Sequence, residues 1–521
     1  MRGKVKRLQS VLQKEIGSDT ISTSRHERIV YSHDLAQITG PMRTIANRIL
    51  FNNIPDFIVM PRNTREIQTV ITHAYKQKVP VVPRGGGSWG HSSAVPSRGG
   101  VVLDLSSMDR ILEVDEENLT VKVQAGVKVA DLNEYLNRRG LTLPITPFNA
   151  PYSTVGGWLS SSALGIGSLK YGSALRYVAS LTTISPTGET VQVPGHDYHK
   201  GPFDLSALLA CSEGTLGVMS EAELRIKPKP EAWLAACYAF NNLREAQTAL
   251  MTAAKSDASP YHLELLEQNY LHMRRSVGDR LPDCQGLIFA AFEGDNAVAA
   301  REQKIFADIC EKYVKDKKAS EASEAGEVLW QERYNSLKVR RLGPSTIFED
   351  VILPMGRFDD LTQFSKHLAE LYRLMVGLHA RAVDHNSFLV SPYFLVDERR
   401  RGNFVTSLPL VKDVVDQTLR LGGRVYGSGL WNYFYLRYCR GQASLECMKR
   451  IKKGVDQRNI LNPSKTFRVM PKLRIPALSL EDRLGLPASS IIYNTVLWVA
   501  SFIIKIIRGV INALYWRREL P

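Results

Sequence analysis

The hydrophobic positions of the first half of the chain follow a strand-like pattern that one clear helix interrupts. Residues 55–90 predict a strand, a helix and a strand, and Asn63 and Glu66 stand at capping-box spacing where the helix begins. Apolar and polar residues alternate in VVLDL and LTVKVQAG, which predict two further strands. A hairpin around residues 186–188 and a strand within VMSEAELRIKP complete this half.

The pattern changes after residue 230, where strands and helices are interleaved. Residues 231–420 contain strand-like stretches at AACYAF, GLIFAAFE, TIFEDVILP and FLVSPYFLV. Helical stretches lie between them at LREAQTALMTAAK, REQKIFADICEKYVKD and FDDLTQFSKHLAELYRLM. This interleaving predicts an α+β cap domain. The polar run at residues 315–327 is interpreted as a solvated loop or helix end.

The last stretch, residues 491–516, is apolar apart from five polar positions. Those positions recur at steps of seven, four, three and four, so on a helix they form one polar stripe: Asn494, Ser501, Lys505, Arg508 and Asn512. The opposite surface carries Trp498, Phe502 and Trp516, as expected for a helix lying in a membrane interface. Docking on the protein's own surface or on a second subunit is the alternative, as is a transmembrane span.

Composition narrows the class of protein. The 521 residues are 44% hydrophobic and 23% charged, which is typical of soluble domains and not of disordered or polytopic membrane chains. The net charge is +15, and residues 448–475, with nine Lys or Arg and one Asp, supply +8 of it. A basic segment beside an apolar helix favours attachment to anionic lipid. Nucleic-acid binding is not predicted, because no recognition motif accompanies the charge.

The two ends and the cysteines indicate the compartment. The start, MRGKVKRLQSVLQKEIG, lacks the apolar stretch of a secretory signal, so the cytoplasmic face of a membrane is expected. The six cysteines form no CxxC pair, which argues against zinc ribbons and cysteine-ligated iron-sulfur clusters as local motifs.

Glycine and hydroxyl residues concentrate in three segments of the first half. PRGGGS, residues 83–88, ends a strand with three glycines, whose N–H groups can converge on a phosphate. Residues 153–172, STVGGWLSSSALGIGSLKYG, are small and polar, which suits a large flat ligand lying against the backbone. CSEGTLG, residues 211–217, precedes a strand. Each segment by itself is also compatible with a tight turn.

In this order and spacing, PRGGGS, TVGG, KYG, SPTGE and CSEGTLGVMSEAELRIKP resemble the FAD-binding domain of the vanillyl-alcohol oxidase and p-cresol methylhydroxylase superfamily. The branch it most resembles is that of D-lactate dehydrogenases, glycolate oxidase subunits and alkyldihydroxyacetonephosphate synthases. The resemblance implies an α+β fold, with a two-subdomain FAD-binding domain and an α/β cap with an antiparallel sheet. The predicted units are an N-terminal helical segment (1–50), FAD-binding domain (51–230), substrate domain (231–420) and closing segment (421–470), to which the apolar pattern adds an amphipathic membrane tail (488–516).

The resemblance also implies which residues hold the cofactor. The loop at residues 84–88 would cradle the pyrophosphate, and the later glycine segments would line the flavin. Some members bind flavin covalently through a histidine that closes the loop, where this chain has Ser88, so non-covalent FAD is expected. The implied cofactor-binding residues are Pro83, Arg84, Gly85, Gly86, Gly87, Ser88, Thr154, Gly156, Gly157, Ser161, Gly165, Gly167, Tyr171, Gly172, Glu213, Gly214, Gly217 and Val218.

The second half departs from the family in its metal site. The GHxGDGNxH segment and the later GEHG are replaced by ARAVDHNSFLVSP and RVYGSGLW, so no metal is predicted. His385 is then the candidate base, because its usual pKa lies near working pH. Tyr426 is a candidate for orienting the substrate, and Arg333 falls where the family places an arginine near the substrate carboxylate. A capping histidine, a packing tyrosine and a structural salt bridge are the alternatives.

Together these observations predict a membrane-associated FAD dehydrogenase. It would oxidise a D-2-hydroxy acid, such as lactate or glycolate, and pass electrons to a quinone, an iron-sulfur partner or a carrier protein. One alternative is a lipid or sterol-like substrate, which the altered metal motif favours. The other is a non-catalytic flavin subunit of a larger complex.

Overall fold

The computed structural model describes residues 2–35, 53–195, 204–313, 323–343, 345–397, 409–430 and 432–465. The amphipathic tail and the last third of the basic segment lie outside these residues, so membrane attachment stays a prediction. Within the described ranges, no helix has both the length and the hydropathy needed to cross a membrane.

The first half contains two main sheets. A four-stranded sheet has the order β1-β2-β4-β3, in which β2 and β3 run parallel to β4. A five-stranded antiparallel sheet has the order β5-β6-β10-β8-β9, and β7 pairs with β11. The strands are β1 (Ile21–Ser22), β2 (Phe57–Val59), β3 (Val81–Arg84), β4 (Val101–Asp104), β5 (Ile111–Asp115), β6 (Thr120–Gln124), β7 (Leu141–Thr142), β8 (Val178–Ile184), β9 (Thr190–Pro194), β10 (Val218–Arg225) and β11 (Lys227–Pro228).

The predicted helix after β2 is confirmed, and both its cap and its buried apolar stripe are those that the sequence pattern predicts. The Asn63 side chain accepts a hydrogen bond from the backbone N–H of Glu66, and the apolar stripe of the helix is buried. The predicted hairpin around residues 186–188 is also confirmed, since β8 pairs antiparallel with β9. The helices of this half are α1 (Arg2–Glu15), α2 (Arg25–Val30), α3 (Thr64–Gln77), α4 (Val129–Asn137), α5 (Val155–Ser161), α6 (Ser168–Tyr171) and α7 (Leu205–Leu209).

The second half is built on one eight-stranded antiparallel sheet, whose order is β12-β14-β13-β17-β18-β16-β19, with β15 also on β18. Both faces are buried: Leu265 packs among Ala246 and Leu250, while Leu266 packs with Tyr270 on the other face. The strands are β12 (Ala232–Phe240), β13 (His262–Glu267), β14 (Gly286–Gly294), β15 (Ser345–Phe348), β16 (Val351–Pro354), β17 (Met375–Ala382), β18 (Ser387–Val396) and β19 (Arg424–Val425).

Helices cover this sheet and close the chain. They are α8 (Leu243–Ala254), α9 (Gln268–Ser276), α10 (Asn296–Tyr313), α11 (Ser323–Gln331), α12 (Phe358–Tyr372), α13 (Pro409–Arg420), α14 (Leu436–Arg440) and α15 (Gln442–Val455). Three strands of this sheet, β13, β17 and the two-residue β19, have no counterpart in the sequence prediction. In β13 and β17 the reason is that each carries charged or histidine side chains at positions that the fold buries.

Both ends of the described chain belong to the first half. Leu8 and Leu12 of α1, and Leu461 after α15, are part of the same apolar core as the two sheets. The ammonium of Lys465 is buried and donates to the carbonyls of Ser92 and Val95. Lys452 is buried as well, and it donates to Asp456. Two of the nine cations in the basic segment therefore hold the fold together and are not presented to a surface.

Candidate active site

A large cavity lies between the two halves of the molecule. Its empty volume is about 1400 Å³, including the part that opens to solvent. One wall consists of the three glycine-containing segments of the first half. The other wall is contributed by the antiparallel sheet, through Asp350, Arg381, Ser391 and Tyr393, together with Tyr426.

The first glycine segment is a loop that lies tightly against residues 152–154. A Cβ on Gly85 would lie 2.1 Å from Thr154 Oγ1, and one on Gly86 would lie 2.1 Å from the Tyr152 carbonyl oxygen. Side chains are therefore excluded from the loop, and its backbone forms the cavity wall. The guanidinium of Arg84 turns to the N-terminal segment, where its Nη1 donates to the carbonyl of His33.

The second segment supplies a short helix whose first turn faces the cavity. Thr154 caps α5 by accepting a hydrogen bond from the N–H of Gly157. Gly156 N donates to the Ala125 carbonyl, and a Cβ on Gly156 would lie only 2.8 Å from Ala125 Cβ. This close approach packs α5 against the end of β6 in the five-stranded sheet. The three serines at residues 160–162, where α5 ends, line the cavity.

The third segment joins the first half to the closing part of the chain. Glu213 has a left-handed backbone, with φ of 50°, and its carboxylate is buried. That carboxylate accepts hydrogen bonds from Ser93 Oγ, Ser428 Oγ and the N–H of Gly429. Glu213 therefore holds the cavity wall together by crosslinking three segments.

Fourteen of the eighteen cofactor-binding residues implied by the sequence line this cavity. The other four, Gly165, Gly167, Tyr171 and Gly172, do not. Gly165 packs against the Thr146 carbonyl, and Tyr171 donates its hydroxyl proton to the buried Glu293 of the second half, where Lys227 also binds. The structure therefore places this part of the segment in the contact between the two halves.

The sheet side of the cavity holds an arginine that the sequence analysis did not select. Arg381 of β17 is 4% exposed and stands directly across from Glu264 of β13 in the strand register. Its Nε lies 3.4 Å from Glu264 Oε1, and its Nη2 lies 3.1 Å from Nδ1 of His379. His379 and His262 both contact the Glu264 carboxylate, through Nε2 at 2.9 and 2.7 Å.

The protonation of this cluster follows from its burial and contacts. Burial lowers the pKa of His379 to about 4, so the ring is neutral at neutral pH. Nδ1 of this neutral ring accepts a hydrogen bond from Arg381, so the ring proton is on Nε2. The Nε2–H group then donates a hydrogen bond to the Glu264 carboxylate. Burial by itself would raise the pKa of Glu264, but the contacts with His379 and His262 outweigh burial and hold that pKa well below its usual range. Arg381 therefore stays a cation, which is paired with Glu264 and also interacts electrostatically with the Asp350 carboxyl.

Two other polar side chains of this wall have shifted pKa values. Burial raises the pKa of the Asp350 carboxyl above its ordinary value, and Ser391 Oγ donates to it at 2.5 Å. Burial also raises the pKa of the Tyr426 hydroxyl, which lies 2.6 Å from Ser162 Oγ. Asp350 faces the cavity because the predicted strand TIFEDVILP is interrupted between β15 and β16 at this position.

Of the three candidate catalytic residues, Tyr426 lines the cavity and the other two do not. His385 lies in the turn between β17 and β18, where its Nδ1 donates to the Ala254 carbonyl at 2.5 Å. Arg333 lines a second, smaller cavity, where its guanidinium covers the rings of Trp330 and Tyr334. In the described parts of the chain, no three His, Cys, Asp or Glu side chains are grouped to hold a metal ion.

Sequence reasoning missed Arg381, Asp350 and the cluster around Glu264. A signal for the cluster was present, since His262 and Glu264, and likewise His379 and Arg381, stand two residues apart within apolar stretches. In a strand such a pair points to the same face. Two strands with this spacing predict one shared polar cluster if they are neighbours in the sheet.

Two family models match the chain. Residues 55–194 match the FAD binding domain, and residues 229–466 match the C-terminal domain of FAD linked oxidases. The cavity wall fits such a cofactor, because it offers a side-chain-free glycine loop and a row of hydroxyls along an opening large enough for a dinucleotide.

Two similar proteins align with most of the chain. The chain is 28% identical over 469 residues to the glycolate oxidase subunit GlcD of Bacillus subtilis, covering 88% of this chain and 97% of the relative. It is 28% identical over 464 residues to the mitochondrial D-lactate dehydrogenase (cytochrome) of Arabidopsis thaliana, covering 87% and 78%.

Solved structures share the fold. Substrate-bound p-cresol methylhydroxylase has a TM-score of 0.76 at 16% identity, over 90% of this chain and 98% of that one. An alkyldihydroxyacetonephosphate synthase has a TM-score of 0.70 at 21% identity, over 87% and 84%. The fold is therefore the PCMH-type FAD-binding fold with its cap.

Proposed function

The chain belongs to the FAD-linked oxidoreductases of the D-lactate dehydrogenase and glycolate oxidase family, and on that premise we propose that it oxidises a D-2-hydroxy acid. The observation that carries this proposal is the buried guanidinium of Arg381 in the cavity wall. A bound flavin supplies the hydride acceptor for such a reaction.

Arg381 supports an anionic substrate for an electrostatic reason. A desolvated guanidinium favours a carboxylate, because its planar fork matches the two oxygens and the low dielectric strengthens the attraction. Nη2 donates to His379 and the guanidinium lies within ion-pair distance of Glu264, so the orientation of the fork is set before a substrate arrives. Among the described residues, Nε itself has no hydrogen-bond partner. The Phe148 ring, 4.8 Å from the guanidinium carbon, restricts it further.

We assign the removal of the hydroxyl proton to Asp350 in place of His385. Asp350 lines the cavity, and its raised pKa brings it nearer the working pH than an ordinary aspartate. Tyr426 stays protonated because burial raises its pKa, so it acts as a hydrogen-bond donor that orients the substrate. His385 is held by the Ala254 carbonyl, away from the cavity.

We further propose that FAD is held without a covalent bond. Among the described residues, no histidine or cysteine lines the cavity. His91 follows the glycine loop but is buried, and its ring contacts Trp89 and Asn432.

The reaction can be tested on the purified full chain under anaerobic conditions. D-lactate, glycolate or D-2-hydroxyglutarate should bleach the oxidised flavin band at about 450 nm, whereas L-lactate serves as the matched control of opposite configuration. Acid precipitation should leave the flavin in the supernatant. Bound flavin that no hydroxy acid reduces would contradict the proposed substrate class, and flavin in the protein pellet would contradict non-covalent binding.

A lipid alcohol is the second candidate substrate. Phe148, Leu164 and Leu389 give the cavity an apolar flank next to Arg381. A long-chain alcohol would use this flank and leave the guanidinium with Glu264 as its ion-pair partner and no substrate anion. Bleaching by lipid alcohols and not by hydroxy acids would select this candidate.

We also propose that the tail attaches the protein to an anionic membrane surface. A chain that ends at Lys472 should move to the soluble fraction and keep its flavin, because Lys465 and its contacts with Ser92 and Val95 are retained. The matched variant is Trp498→Glu in the full chain, which places a charge on the apolar face and should weaken sedimentation with anionic vesicles. Unchanged sedimentation of the truncated chain would refute the attachment.

A further inference from the structure

A second cavity, separate from the flavin cavity, lies where the two halves meet. Its empty volume is about 500 Å³, including the open part. The first half contributes Asn133 and Asn137 of α4 and Thr142, and the second half contributes Trp233 and Arg333 among others. Lys229, at the junction between the halves, also lines it.

Arg333 is fixed at this cavity without an anionic partner. Its guanidinium carbon lies 4.3 Å from the Trp330 ring centre and 4.6 Å from that of Tyr334, and Nη1 donates to the Trp330 carbonyl. Within the described residues, no carboxylate lies within ion-pair distance of Arg333 or Lys229. Two cations thus share one small cavity, although nearby Lys338 is neutralised by Asp279 and Glu332.

The amide of Asn133 adds a donor on the opposite wall. Its Oδ1 accepts from Thr142 Oγ1 at 3.0 Å and from the N–H of Leu143 at 2.9 Å, which fixes the orientation of the amide. The Nδ2 group is therefore the part of this side chain that remains to bind a ligand. Asn133, Lys229 and Arg333 together present donors and positive charge, and this chemistry recognises an oxyanion.

We propose that this second cavity binds a small oxyanion, of the phosphate or carboxylate class, that bridges the two halves. The proposal is independent of the hydroxy-acid chemistry, since none of its residues lines the flavin cavity. An anion bound there contacts residues of both halves, so it stabilises their association by mass action. Arg333 would thus bind an anion, but not the one that the sequence resemblance implied.

Calorimetric titration of the flavin-loaded full chain tests the proposal, with inorganic phosphate and malonate as separate probes in a chloride buffer. We expect saturable binding of at least one probe and a rise in thermal midpoint. Arg333→Gln and Lys229→Gln should each weaken that binding by about tenfold or more, since a hydrogen bond to a charged group is lost. The probe that binds more tightly identifies the oxyanion class.

The chain offers a matched control in Arg139. Arg139 follows α4, and its guanidinium also covers an aromatic ring of the preceding helix, at 3.8 Å from the Tyr135 ring centre, and also donates to that residue's carbonyl. Arg139 does not line the second cavity, so Arg139→Gln should bind the probe like the unaltered chain. Absence of binding, equal weakening by Arg139→Gln, or loss of binding in Arg381→Gln and not in Arg333→Gln would each overturn the proposal.

Discussion

Replacing Arg381 by Gln should raise the KM for the hydroxy acid by about 100-fold or more while flavin stays bound. Removal of one partner from a buried, hydrogen-bonded charge pair typically costs about 2–5 kcal/mol, and each 1.4 kcal/mol corresponds to about tenfold in affinity. The substrate carboxylate loses that partner, whereas the glycine loop and α5 lie on the opposite wall. Steady-state kinetics and the flavin content of the purified variant measure the two effects separately.

Two variants make the Arg381 experiment specific. Arg381→Lys keeps the charge but cannot reach both Glu264 and His379, so it should recover the KM only in part. His385→Gln changes the residue that sequence reasoning selected, and it should leave the kinetics close to those of the unaltered chain because His385 lies outside the cavity. Normal kinetics in Arg381→Gln combined with inactive His385→Gln would reverse our assignment of the site.

Replacing Glu264 by Leu should destabilise the protein by about 3–5 kcal/mol, because it leaves the buried Arg381 without its carboxylate. His262 and His379 lose the same acceptor, so three buried groups become unsatisfied. Thermal unfolding followed by far-UV circular dichroism and by flavin release should show a lower midpoint for this variant than for the unaltered chain.

The Glu264→Leu, Arg381→Met double variant separates stability from substrate binding. Removing both charges should restore part of the midpoint, since the buried Arg381 no longer lacks its carboxylate while His262 and His379 still lack their acceptor. Reduction by the hydroxy acid should remain lost. Asp279→Leu is the matched control, because it breaks the buried Arg274–Asp279 pair outside the cavity and should lower stability without changing the KM. A double variant as unstable as Glu264→Leu would contradict the pairing we describe.

Local patterns predicted much of the fold because the forces behind them act between neighbouring residues. Asn63 caps α3 through a hydrogen bond to a residue three positions on, and the hairpin of β8 and β9 closes around a turn of a few residues. The glycine loop is likewise local: no side chain fits at Gly85 or Gly86, so a run of glycines marks the place where backbone forms the cavity wall.

The sheet side of the cavity required the tertiary structure. Glu264 and Arg381 are 117 positions apart and meet only because β13 and β17 are neighbours in register. Charged residues in a strand-like stretch argue against burial until their partners are known, which is why both strands were missed. His385 is the converse case, since its chemistry suits a base but the turn after β17 directs it to the Ala254 carbonyl.

The sequence by itself identified the flavin-binding class of this protein through a family resemblance, because the short glycine and hydroxyl segments that carry it can be recognised without knowing how they pack. Only the tertiary structure decided which arginine faces the cavity and which one lies in the second cavity. The physical reason is that the pairing of distant strands, and the packing of one half on the other, set the direction of each side chain, and neither is encoded in the spacing of nearby residues.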